Sequence, residues 1–203
     1  MKITNSKLNL WPVAGRLFSF FAAGLFFCDT GFAAEKFIFD EVHSIPQFEF
    51  SHLGVTTQTG RFDVAKGAIY IDFAAHKGSV YYEIDASSLN MGYGTETPES
   101  AGYRLFNVSV FPTIKFKSGK LVFNSKNEIT AAVGKLTLLG VSKPLTVTVS
   151  NFKCAPNPVT KRKTCACDVR ATLMRTDFGM IQYIPGISDL IIINVPVEAY
   201  RSQ

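Results

Sequence analysis

The sequence predicts an all-β chain whose antiparallel strands, eight or nine in number, close into a barrel. Three observations carry that expectation. After residue 33, apolar and polar residues alternate along most of the chain, the two-residue period of strands with one buried face. Several runs are long: Thr113–Asn124, Glu128–Leu139 and Pro144–Cys154 would each span about 35–40 Å at ~3.3 Å per residue. Edges of that length invite association unless the sheet closes on itself. Finally, Ile129, Ala131 and Val133 give way to Leu136 and Leu138 across Gly134-Lys135. A β-bulge there would bend the strand as a barrel requires.

Residues 1–33 read as a secretory signal peptide. Lys2, Lys7 and Arg16 form a basic start, Leu17–Phe27 is an apolar run, and Gly31 and Ala33 are the small residues a signal peptidase needs. The run is shorter than the ~20 residues that span a bilayer, so cleavage after Ala33 is expected rather than anchoring. Residues 34–203 then make one domain. The formal charge is +5, and losing Lys2, Lys7, Arg16 and Asp29 leaves +3. That is compatible with anionic lipid headgroups but too little to argue for nucleic acid. Lys161-Arg162-Lys163 has no interleaved aromatics and reads as a solvated turn.

The strands follow in order. Phe48 and Phe50 alternate with Gln47, Glu49 and Ser51; Ile69, Ile71 and Phe73 alternate with Tyr70 and Asp72; Val80, Tyr82 and Ile84 come after His76-Lys77-Gly78. A short helix is expected over Pro98–Asn107, between the fourth and fifth strands. Thr97 is its N-cap, Pro98 stands at N1, and Tyr103 and Phe106 share one face. Ile114 and Phe116 alternate with lysines, and Leu145, Val147 and Val149 with Thr146, Thr148 and Ser150. Lys143-Pro144 is expected to close a hairpin. Cys165, Cys167, Val169, Ala171 and Leu173 share one strand face, and the last strand, about Asp189–Tyr200, is apolar on both faces along Leu190–Ile193. Its start is therefore expected to be covered on both sides.

Three cysteines lie beyond the leader: Cys154, Cys165 and Cys167. In an exported chain a disulfide is expected from Cys154 to one of the other two, across the two strands of a hairpin, leaving an odd thiol. No histidine lies nearby, so a metal site is not expected and neither is a cofactor.

Enzyme motifs are missing: no Gly-x-Ser-x-Gly elbow, no His-Glu-x-x-His, no phosphate-cradling glycine loop, no Cys-x-x-Cys. The chain is therefore read as a binder, not an enzyme. A barrel of this size encloses side chains alone or one slender ligand. His52 continues the Phe48/Phe50 face and either bonds a headgroup oxygen or sits as a satisfied core residue. Arg61 suits a phosphate or carboxylate, or else pairs with Asp63 or Asp177. Arg175 and Asp177 precede Phe178-Gly179, where the competing reading is a turn with glycine at positive φ. Phe48, Phe50, Tyr82, Tyr103, Phe106, Phe116 and Phe178 are candidates for the core or for an apolar tunnel wall.

The ordered motifs His43-Ser44, His52-Leu53-Gly54, Gly60-Arg61-Phe62, Phe106-Asn107 with Phe111-Pro112-Thr113, Gly140-Val141-Ser142-Lys143-Pro144 and Arg175-Thr176-Asp177-Phe178-Gly179 together resemble the YceI-like family of bacterial periplasmic lipid-binding proteins. The resemblance runs from about Phe37 to Tyr200. It implies a lipocalin-like barrel, a periplasmic location, and a channel for a polyisoprenoid such as a polyprenyl phosphate or an isoprenoid quinone. The matching positions are His43, Ser44, His52, Gly54, Gly60, Arg61, Phe62, Pro112, Gly140, Lys143, Pro144, Asp177, Phe178 and Gly179. At ~0.8 kcal/mol per buried CH₂, each five-carbon unit would contribute roughly 3–4 kcal/mol before ordering costs. The expected function is transport, storage or sequestration. The rivals are a carrier of another amphiphile, such as a fatty amide, and a quinone-linked electron-transfer accessory. Transient contact with a membrane or a membrane redox partner, and a homodimer, complete the expected partners.

Overall fold

The computed structural model describes residues 34–92 and 105–202. The expected leader and Tyr103 lie outside them, as does the start of the expected helix, of which Leu105 and Phe106 form the helical end. Eleven strand segments are present: β1 (Glu35–Phe39), β2 (Gln47–His52), β3 (Thr56–Phe62), β4 (Ala65–Asp72), β5 (Lys77–Asp85), β6 (Leu89–Asn90), β7 (Thr113–Phe123), β8 (Ile129–Leu138), β9 (Val141–Pro156), β10 (Lys163–Met174) and β11 (Leu190–Arg201). They form one antiparallel sheet in the order β1-β4-β5-β7-β8-β9-β10-β11-β2-β3-β6, and β1 also pairs with β11. That extra pairing closes a ring of eight.

β2, β3 and β6 are continuations of β1, β4 and β5, so the barrel has eight staves and three of them are broken. The breaks have local causes. Asp40 accepts from the N–H of Val42 and His43 at 2.9 and 3.0 Å, turning the chain after β1. Buried Ser44 then donates to the Glu198 carbonyl and accepts from the Glu198 N–H, while Tyr82 donates its hydroxyl to the Ser44 carbonyl. Between β3 and β4, the N–H groups of Asp63 and Val64 donate to the Ser88 carbonyl and hydroxyl. Asp85 caps the 3₁₀ turn Ala86–Ser88 that separates β5 from β6. The expected helix lies after β6, between the third and fourth staves, because β1/β2 and β3/β4 each count as one.

Above the breaks, among the described residues, β6 pairs with β3 alone. The hydrogen-bonded ring of described strands is therefore complete below them, and above them no described pairing joins β6 to β7. Two apolar clusters reflect this division. The lower contains Phe37, Phe39, Ile71, Tyr82, Leu121 and Val147; the upper contains Phe62, Leu89, Phe106, Leu136 and Phe178.

Three expectations need correction. The phase change in β8 falls at Thr130, the extra residue between the pairs Ile129↔Phe123 and Ala131↔Val122, so Ala132 and Leu136 face inward and Val133 outward. A second irregularity lies on the partner strand, where Gly119 is unpaired and Ser118 Oγ donates to the carbonyls of Lys120 and Val133. Gly134 serves close approach instead: a Cβ there would stand 2.3 Å from the Lys117 carbonyl oxygen. The β8–β9 hairpin is closed by Leu139 and Gly140, at φ 50° and 74°, two successive left-handed residues as a two-residue turn of the right twist requires. Lys143 and Pro144 lie inside β9, opposite Leu136 and Lys135. Finally, the outer face of Leu190–Ile193 is covered only in part, with Ile192 half-buried. Leu190 remains 47% exposed, since among the described residues no second layer packs outside β11.

Cys154 and Cys165 stand directly opposite on β9 and β10 and are bridged. Cys167 is the free thiol, and burial, helped by Asp168, pushes it up to about 12.

Candidate functional site

The barrel is hollow. Its upper chamber, about 660 Å³, lies within the range of small-molecule sites. Phe48 and Phe50 reach it from β2, Phe62 from β3, Leu136 and Leu138 from β8, Ile191 and Ile193 from β11. Their strand parity aims them all inward. Leu89, Met91, Leu105 and Phe106 supply wall where no described pairing joins β6 to β7. The aromatic rings support one another: Phe62 meets Phe106 edge-on with centroids 5.4 Å apart, and Phe48 lies against Phe62 at 5.7 Å. Gly60 makes room for the Phe48 ring, since a Cβ would stand 2.4 Å from Phe48 Cζ and displace it.

A lower chamber of about 130 Å³ continues below. Pro46, Ile84, Leu136 and Ile193 border both chambers and form a waist between them. Below it the wall is Tyr82, Phe116, Ala132, Val147, Phe152 and their neighbours. Phe152 faces inward because Asn151, at φ 56°, adds an extra residue to β9 at the β10 register shift.

Among the described residues, hydrogen-bonding side chains gather in the upper chamber, with Gln47, His52, Gln58, Arg175 and Tyr183; the lower has Tyr82, whose hydroxyl is spent on the Ser44 carbonyl, and the Cys167 thiol. Among the described residues no carboxylate lines either chamber. Arg175 opens the 3₁₀ turn Arg175–Phe178 and is 3% exposed. Its Nε, Nη1 and Nη2 donate to the carbonyls of Ser188, Met180 and Ile187 at 2.9, 3.2 and 2.9 Å. Burial lowers its pKa and nearby Asp189 opposes the shift, but a guanidinium stays charged. Three of its five N–H bonds are thus committed to the loop after β10, leaving donors for an anionic or carbonyl-bearing group. Asp189 pins the other side of that loop, accepting from Thr176 Oγ1 and N–H at 2.7 and 2.9 Å, and these bonds hold its carboxyl below the usual range.

Of the residues expected to bind ligand, Phe48, Phe50, His52, Phe62, Phe106 and Arg175 border the upper chamber, and Tyr82 and Phe116 the lower. Three do not reach either. Arg61 stands between inward Gly60 and Phe62, so it points outward and pairs with Asp63 at 2.5 Å. Asp177 is exposed on the turn, where Gly179 at φ 79° makes the left-handed step. Phe178 is buried behind the wall in the upper cluster. His52 is exposed at the mouth and not a core residue; its backbone bridges Ile187. Sequence reasoning passed over Met180, Tyr183 and Ile187, which reach the chamber from an irregular loop without periodicity. It also passed over Leu173 and Ile193, which their own strand parity placed inward. Among the described residues no cluster of three metal-ligating side chains occurs.

Comparison with known proteins agrees with this architecture. Residues 37–199 match the model of the YceI-like domain. A UPF0312 protein of Pseudomonas aeruginosa (strain LESB58) is 27% identical over 161 residues, covering 78% of this chain and 82% of the relative. Burkholderia cenocepacia BcnA superposes with a TM-score of 0.64 at 20% identity, covering 79% of this chain and 98% of that one. A polyisoprenoid binding domain from Saccharophagus degradans, implicated in plant cell wall breakdown, superposes at 0.59 with 16% identity over 82% and 98%. These superpositions establish a shared barrel.

Proposed function

We propose a carrier function from a plain premise: this chain belongs to the YceI-like domain family. In this reading it is exported through the leader 1–33 and works in the periplasm. There it holds one polyisoprenoid lipid, a polyprenyl phosphate or an isoprenoid quinone, for transport, storage or sequestration, with no catalytic turnover. The ligand class is carried over from the Saccharophagus domain of the same fold.

The observation that carries the reading is the two-chamber hollow whose charged and amide side chains, among the described residues, all stand in the upper chamber. A branched apolar chain would gain burial along the whole wall, while Arg175, His52 and Tyr183 would meet a headgroup rich in acceptor oxygens. The apolar surface supplies affinity and the donors supply orientation. The lower chamber is on the scale of cavities that stay dry and accept a six-carbon ring, so it would take roughly one isoprene unit.

The test is native mass spectrometry of protein purified from its own host, followed by lipid extraction. The expected result is one bound polyprenyl lipid per chain. Recovery of short fatty chains or fatty amides alone would reject the isoprenoid, and a ligand-free protein would reject the carrier.

A further inference from the structure

The cavity mouth is framed by two loops that carry exposed apolar side chains, and they are tied to each other. The β2–β3 turn presents Leu53 and Val55, 66% and 83% exposed. The loop between β10 and β11 presents Ile181, 67% exposed, beside Tyr183 and Ile184. The Leu53 N–H donates to the Gly186 carbonyl at 2.6 Å, and the Ser188 N–H donates to the Ser51 carbonyl at 2.9 Å. The two loops therefore form one continuous rim.

Three features of this rim are unusual for a solvated surface. Leu53 and Tyr183 hold φ at 54° and 64°, a region that bulky residues rarely occupy, so backbone strain accompanies apolar exposure at both tips. No Asp, Glu, Lys or Arg occurs from Ser51 to Gly60 or from Met180 to Ser188. The opposite end of the barrel, by contrast, carries Lys36, Lys161, Arg162, Lys163 and Arg201. The rim is also continuous with the cavity wall: His52, Met180, Tyr183 and Ile187 line the chamber while their neighbours face out.

We propose that this rim docks on a lipid bilayer, with Leu53, Val55, Ile181 and Ile184 entering the acyl layer and the cavity mouth opening onto it. Separate convex tips suit a fluid hydrocarbon that closes around each side chain. The uncharged rim matches an uncharged layer, and an apolar chain could pass between membrane and chamber without crossing water. The proposal rests on the carrier reading for its purpose, but the surface can be tested apart from it.

The experiment is co-flotation of the purified protein with phosphatidylcholine vesicles, which carry no net charge. The double variant Val55→Asp/Ile181→Asp alters two exposed side chains that do not line the cavity. Its partitioning should fall by at least roughly tenfold, while uptake of an apolar fluorescent probe in vesicle-free solution stays at the parent level. Val159→Asp, on the β9–β10 loop at the far end, should leave partitioning unchanged. All forms share one N-terminus, so the comparison isolates the rim. Parent protein that does not float, an equal loss in Val159→Asp, or binding abolished by high salt would each overturn the proposal. Loss of probe uptake in the parent would instead overturn the carrier reading.

Discussion

Arg175 and Arg61 show how much one residue's setting decides. Both are arginines near glycine and phenylalanine, yet Arg61 alternates outward on β3 to Asp63, while Arg175 is folded under a loop whose carbonyls it gathers. Strand parity carried the information that Arg61 faces outward, but its motif kept it among the candidates. The burial of Arg175 was not legible, because its partners Met180, Ile187 and Ser188 lie on an aperiodic segment. Replacing Arg175 by Met should destabilise the protein by about 2–4 kcal/mol, since three carbonyls lose charged donors. Chemical denaturation measures the loss, and hydrogen exchange should localise added opening to residues 179–189. Cys167 gives a pH prediction. Its thiol is held up to about 12 in the fold against an ordinary value of 9.0, so above pH 9 the unfolded chain releases a proton that the folded one keeps. Stability must then fall as pH rises, by at most about 1.4 kcal/mol per pH unit from this group. In Cys167→Ala stability should fall by about 1 kcal/mol less between pH 9 and 10, because the unfolded thiol is only half ionised at pH 9; an unchanged slope would show that the thiol does not contribute.

At the scale of elements, the long staves β7 to β11 were legible because alternating stretches such as Leu145–Val149 and Cys165–Leu173 recur on either side of their phase changes. The breaks in the other three were not. They depend on the side chains of Asp40, Asp85 and Ser88 accepting from backbone N–H groups, and each residue looks in sequence like ordinary polar strand or turn. Phase changes were half legible: a slip in β8 was visible, but alternation could not tell a bulge at Thr130 from a close approach at Gly134. The β9–β10 hairpin is closed by a disulfide between residues eleven apart. Reducing it, or replacing both cysteines by alanine, should cost roughly 2–3 kcal/mol. Because Cys165 borders only the lower chamber, uptake of a probe seated in the upper chamber should not change at temperatures well below unfolding, as a titration will show.

For the whole molecule, the decisive matter is that the interior is unfilled. Alternation specified which side chains point inward, but not whether they meet. Above the breaks no described pairing joins β6 to β7, and the chamber there is about five times the lower one. The waist at Leu136 and Ile193 should therefore act as a gauge of chain length. Filling the lower chamber with Ala132→Leu should shift extracted lipids toward chains shorter by about one isoprene unit, with roughly 1–3 kcal/mol of overpacking. An unchanged chain-length distribution would show that the ligand ends above the waist.

The most direct measurement is the structure of protein carrying the lipid it was purified with. The account predicts a single elongated ligand running from the donors at Arg175, past Leu136 and Ile193, into the space beside Phe152 and Val147. Two empty chambers, or a lipid lying against the outside of the barrel, would contradict it.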